Sequence, residues 1–154
     1  MLSKIEHLSA SEKQLILEAP IMVSALVAGS DGDFRPEEIA QAVKIIHIKT
    51  YSETRDVSGV YKTIDGHTEA SIDDFIKHLP HTTFERNKVL AEKLSGLNHI
   101  FPKLDPTFAV DLYKSLKELA YYVSNAGDLG MGMRSDQEKE TAKLSFINPP
   151  LIEE

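Results

Sequence analysis

Residues 105–123 read DPTFAVDLYKSLKELAYYV, and their spacing decides the fold. Asp105 suits a helix cap and Pro106 a first helical residue, while Phe108, Leu112, Leu116, Leu119 and Val123 recur as one unbroken apolar stripe. Upstream, residues 12–29 read EKQLILEAPIMVSALVAG and are apolar nearly all the way round after Glu18, the pattern of a helix buried on most of its faces. This segment is expected to be the central helix. Pro20 is expected to kink or split it, and Gly29 and Gly32 to stop it.

Between and beyond these two, the helical period continues. Ile39, Val43 and Ile46 predict a helix from Pro36 to about Thr50, and Val57, Val60, Tyr61 and Ile64 form a further stripe. Asp65-Gly66 reads as a turn, and Ser71-Ile-Asp-Asp as the cap of a short helix that ends before Pro80. Leu90, Leu94, Leu97 and Phe101 predict a longer helix from about Thr83, stopped by Pro102. After Asn125 the run AGDLGMGM reads as a glycine-rich loop. Ser135 and Glu138 then have the spacing of a capping box, for a last helix running to about Ile147 before Asn148-Pro149-Pro150 and a short acidic tail. No stretch alternates for long enough to build a sheet. The expectation is all-α: a compact bundle of six or seven helices, one domain over residues 1–154.

Composition narrows the function. Of 154 residues, 24 are acidic and 17 basic, a net charge of -7 that repels phosphate at long range, so no nucleic-acid surface is expected. Cations suit it better. With no cysteine, disulfides, thiolate nucleophiles and iron–sulfur clusters are excluded. The longest uncharged, mostly apolar run, residues 19–30, falls short of the roughly 20 residues that a membrane helix needs. A cytoplasmic protein with no integral membrane segment is expected.

Two segments share a plan: a helix ending in small residues, a loop with Gly and Asp, and a new helix with Glu in its first turn. Ala28, Asp31, Gly32, Phe34 and Glu38 resemble the signature Ala-x-x-Asp-Gly-x-(Ile/Val/Phe)-Ser-x-x-Glu of the tellurite-resistance TerB-like domains, with Arg35 in place of the serine. Gly127, Leu129, Gly130, Gly132, Ser135 and Glu138 resemble the family's longer, glycine-rich version. The resemblance covers roughly residues 15–50 and 106–147. It implies an all-helical domain with a pseudo-two-fold internal repeat that brings both acidic loops to one face, a role in resistance to tellurite and other stresses, and a divalent metal held by the acidic residues.

The chemistry of those residues fits a hard cation of the calcium or magnesium type, which takes several oxygen ligands. Asp31, Asp33, Glu37, Glu38, Asp128 and Glu138 would supply six carboxylates if the loops converge. The first loop is not an EF-hand, because counting from Asp31 puts Pro36 where glycine is required and Ala42 where the bidentate glutamate belongs. A plainer reading stands beside this one: a helix dipole alone favours acids in a first turn by roughly 0.3 to 1 kcal/mol each, and Ser135 with Glu138 needs only capping. Asp33 and Glu37 also read as solvated charges.

Other constellations carry less. His78, His81 and Glu85 look like zinc ligands until Pro80 separates the two histidines across a helix break. Met131 and Met133 read as core caps. The glycine run lacks the Gly-Lys-Ser/Thr ending of a phosphate loop, and no Gly-x-Ser-x-Gly occurs. No enzyme is expected, and neither is direct reduction of tellurite, because the chain has no thiol to donate electrons. The function expected is a divalent-cation-binding domain acting through contacts with other proteins. A metal-independent helical interaction module is the alternative, and a metal-dependent hydrolase the third reading.

Overall fold

Ser9 opens the first helix with a hydroxyl that accepts from the Glu12 amide at 3.2 Å, while the Glu12 carboxylate accepts from the Ser9 amide at 3.0 Å. This reciprocal cap satisfies two of the amides that a first turn leaves without partners. The computed structural model describes residues 3–30, 32, 34, 36–129 and 140–150, with side chains up to 126 in the long helix that ends at 129. Its helices are α1 (Ala10–Ala28), α2 (Pro36–Ser52), α3 (Arg55–Lys62), α4 (Thr68–Lys77), α5 (Thr83–Ser95), the four-residue α6 (Leu97–Ile100) and α7 (Pro106–Leu129), with short 3-10 turns at Ser3–Ile5 and Phe101–Lys103. Among the described residues there is no strand, and none of the helices is long and apolar enough to cross a membrane. The all-α bundle expected from the periodicity is the architecture found.

Several local expectations are corrected. Pro20 does not split α1, which runs unbroken to its cap at Gly29. Every residue from Ala19 to Ala28 is buried, so neighbouring helices hold the chain helical where proline removes a single donor. Ser71 is not a cap but lies inside α4, which opens at Thr68 directly after a tight turn. There Gly66 takes φ +90 and the His67 amide donates to the Ile64 carbonyl. The helix predicted from Thr83 to Phe101 breaks after Ser95 into α5, α6 and a 3-10 turn that contains Pro102. The stripe survives the break, since Leu90, Leu94, Leu97 and Phe101 are all buried.

At the other end α7 runs on through Ala126, Gly127 and Asp128 to Leu129, into what reads as loop. Val123 and Ala126 are buried there, and packing outweighs the roughly 1 kcal/mol that a helical glycine costs. Residues 130–139, with the rest of the glycine run, Met131, Met133 and the Ser135–Glu138 box, lie outside the described residues. Helical geometry after them reaches only Thr141, not Ile147. Leu144 turns the chain at φ 47, and the Asn98 side chain then holds it, donating to the Phe146 carbonyl at 3.0 Å and accepting from the Asn148 amide at 2.7 Å.

α1 is the centre of the core and packs against α2, α4, α5 and α7. Lys103, just ahead of α7, reaches Glu12 at the start of α1 at 2.6 Å, and its carbonyl accepts from His7 at 2.7 Å, so α1 and α7 set out side by side. α2 runs against α7: Lys49 meets Glu118 at 3.2 Å, and four residues further on, just past the end of α2, Glu53 meets Ser115 at 3.0 Å. α5 runs against α1, because a Cβ on Gly96 at its end would stand 3.0 Å from Leu15 near the start of α1. One end of the bundle therefore collects the end of α1, the starts of α2 and α5, and the last turn of α7.

The Lys103 contact has a measurable signature. Its hydrogen bond, then the Ser9 amide, hold the Glu12 carboxyl at a pKa of about 2, below the ordinary glutamate range. The stability this contributes is present above the ordinary glutamate value of about 4.3 and is lost as pH falls toward 2. Carboxyl carbon NMR should find Glu12 titrating near that low value, and moving up toward the ordinary range in Lys103→Ala. An unmoved titration would mean that the bond to Lys103 has no weight.

Candidate functional site

The first acidic loop begins where α1 stops. The Gly29 carbonyl accepts from the Arg86 Nη2 at 3.1 Å and from the Gly32 amide at 3.0 Å, and the Ser30 carbonyl accepts from the Asn87 Nδ2 at 3.0 Å. Two side chains of α5 thus take hold of two successive carbonyls. Phe34 folds back onto the same place: a Cβ on residue 29 would stand 2.3 Å from the Phe34 ring, so glycine is what admits the ring. The Arg86 guanidinium lies 4.5 Å from the centre of that ring. Gly32 takes φ +90, where side chains are strained, and a Cβ there would meet Thr83 at 2.8 Å.

Arg86 is 6% exposed, and among the described residues its Nε has no hydrogen-bond partner. Burial pushes its pKa down from the ordinary value. It is held by a carbonyl dipole and a ring face.

Of the six carboxylates expected to form a cation site, the described residues include the side chains of two. Glu38 is fully buried in the first turn of α2, and Glu37 beside it is exposed. The dipole of α2 favours a negative charge at both positions. Asp31, Asp33 and Glu138 lie outside the described residues, as does the side chain of Asp128, whose backbone forms part of the last turn of α7. Among the described residues no three His, Asp or Glu side chains come together as a metal-holding group. The zinc reading gains nothing: His78 binds the Asp74 carbonyl at 2.8 Å on the surface, while Glu85 lies in the first turn of α5, where Thr82 caps its amide.

A second polar cluster joins α2, α3 and α7. Lys49, 6% exposed, reaches Glu53 at 2.6 Å and Glu118 at 3.2 Å. Glu53 also accepts from Ser115 at 3.0 Å, and the Ser115 oxygen lies 2.8 Å from the Tyr61 hydroxyl. Tyr61 is fully buried, and burial pushes its pKa up, opposed by the bond to Ser115.

Sequence reasoning missed Arg86, Asn87 and Thr83 as partners of the loop. A side chain that binds a distant carbonyl leaves no spacing pattern, and only Phe34, inside the motif, carries a local signal. In comparisons with protein-family models, curated proteins and solved structures, none matches this chain.

Proposed function

We propose that this chain is a TerB-like helical domain of the stress or tellurite-resistance type, which binds a divalent cation at its acidic end and acts in the cytoplasm through contacts with other proteins. The observation that carries the reading is the register of α2 against α7. Eleven residues back from Lys49 is Glu38, and eleven on from Glu118 is Leu129, next to Asp128. At about 1.5 Å per residue both displacements run about 16 Å toward the same end of the bundle. The start of α2 and the end of α7 therefore belong to one end, as a site built from Asp31, Asp33, Glu37, Glu38, Asp128 and Glu138 requires. The total charge of -7 supplies the attraction.

The metal-independent interaction module has its own support: Arg86 and Asn87 of α5 bind two successive carbonyls of the loop. Calorimetric melting of chelator-treated protein separates the two. A cation bound only by the folded state raises the melting temperature by mass action, and a ligand at 100 times its Kd adds about 2.7 kcal/mol. Calcium or magnesium should produce this rise, and Asp31→Asn should remove most of it. Melting unchanged at saturating cation would give the lead to the interaction module.

A further inference from the structure

Among the described residues, the exposed large apolar side chains fall mostly on two helices. Of the five among the described residues, Ile48, Tyr51, Tyr121 and Tyr122 lie on α2 and α7, and Phe84 alone lies elsewhere. Ile48 and Tyr122 line a groove of about 430 Å³ between these two helices, together with Ile45, Lys49, Glu53 and Glu118. Its lining covers about two turns of α2, from Ile45 to Ser52, and one turn of α7, from Glu118 to Tyr122, a stretch against which a short part of a partner helix can lie.

The charges narrow the occupant. Lys49 is buried and already engaged by two carboxylates, so the ionised group at the surface of the groove is Glu118, whose side chain is 57% exposed. Tyr122 follows it by one turn on α7 and is 43% exposed. A carboxylate beside an open phenol ring is matched by a guanidinium, which can pair with the acid through two N–H groups and stack flat on the ring. An ammonium matches this geometry less well. Lys49 also holds Glu118 in place, so less side-chain freedom is lost on binding. The net charge of -7 attracts a basic partner and opposes a second copy of the chain.

We propose that the α2–α7 groove docks an amphipathic helix of a partner protein, with an arginine set against Glu118 and Tyr122 and apolar neighbours covering the exposed Ile48. This rests on the protein-contact part of the reading above and is independent of the cation.

Fluorescence anisotropy with synthetic helical peptides of about 16 residues tests it, a length at which isolated helices become marginally stable. One peptide carries two leucines and an arginine on one face; in two others lysine or glutamate replaces the arginine. The arginine peptide should bind the full chain roughly tenfold more tightly than the lysine peptide, and the glutamate peptide should not bind. Ile48→Asp should abolish binding, and Glu118→Gln should erase the preference for arginine, with circular dichroism confirming that both variants fold. Equal binding of the arginine and glutamate peptides, no binding, or undiminished binding to Ile48→Asp would overturn the proposal. So would sedimentation showing a dimer that Ile48→Asp dissociates, which would assign the groove to a second copy. Peptide binding lost while calcium still raises the melting temperature removes the groove alone, and the reverse pattern removes the cation alone.

Discussion

Lys49→Met should lower the free energy of unfolding by about 3 kcal/mol, the lower part of the range for breaking a buried ion pair. Methionine replaces the alkyl stem nearly volume for volume, so the loss is electrostatic. Among the described residues Glu53, with a side chain 19% exposed, would keep only Ser115, whereas Glu118 can turn out to water. That partial exposure of the acids screens the charges and holds the cost to the low end. Pairing Lys49→Met with Glu53→Leu should recover most of the loss, because the orphaned carboxylate goes with it. Urea unfolding of the two variants reads this directly. A single variant with the midpoint of the wild type would show that the cluster does not stabilise the fold.

Tyr61→Ala should cost more, about 4 kcal/mol, since it opens a void under three helices and also leaves Ser115 without its hydroxyl partner. Tyr61→Phe keeps the ring and loses only the hydrogen bond, so about 1 kcal/mol is expected. The same residue sets an alkaline limit. Its folded pKa is raised, so the folded state holds the phenol proton more tightly than the unfolded chain does. Nothing is lost below the unfolded value of about 10; above it, stability should fall by up to about 1.4 kcal/mol per pH unit from this group. Unfolding measured from pH 9 upward should show the decline in wild type and a shallower one in Tyr61→Phe. Equal slopes would remove Tyr61 as its source.

How much of this was legible depends on how local the cause is. The stripe of α7 and the cap at Asp105, which accepts from the Phe108 amide, are written in neighbouring residues and were read correctly. The break at Gly96 was not, because α6 and the following turn preserve the spacing of Leu94, Leu97 and Phe101 while the backbone changes. Pro20 and Gly127 were misread in the same direction: each weakens an isolated helix, and each is overruled by burial that a linear pattern does not display. The true cap at Ser9 was overlooked, although Glu12 stands three residues on, as a capping box requires. At the acidic end the motif residues were visible, but the grip of Arg86 and Asn87 comes from a segment placed only by its helical pattern.

That grip ties the loop to a remote stretch of chain. Arg86 and Asn87 reach Gly29 and Ser30 across 57 positions each, so these contacts form only once α5 has docked on α1. The loop is then late to acquire its native shape, while the helices on either side of it can form on local information. In the native ensemble, an excursion that lifts the first turn of α5 would release the loop without dismantling α2 or α7. Reciprocity follows from linkage: whatever binds the closed loop must make the opening of α5 rarer, by the same factor by which that opening weakens its binding.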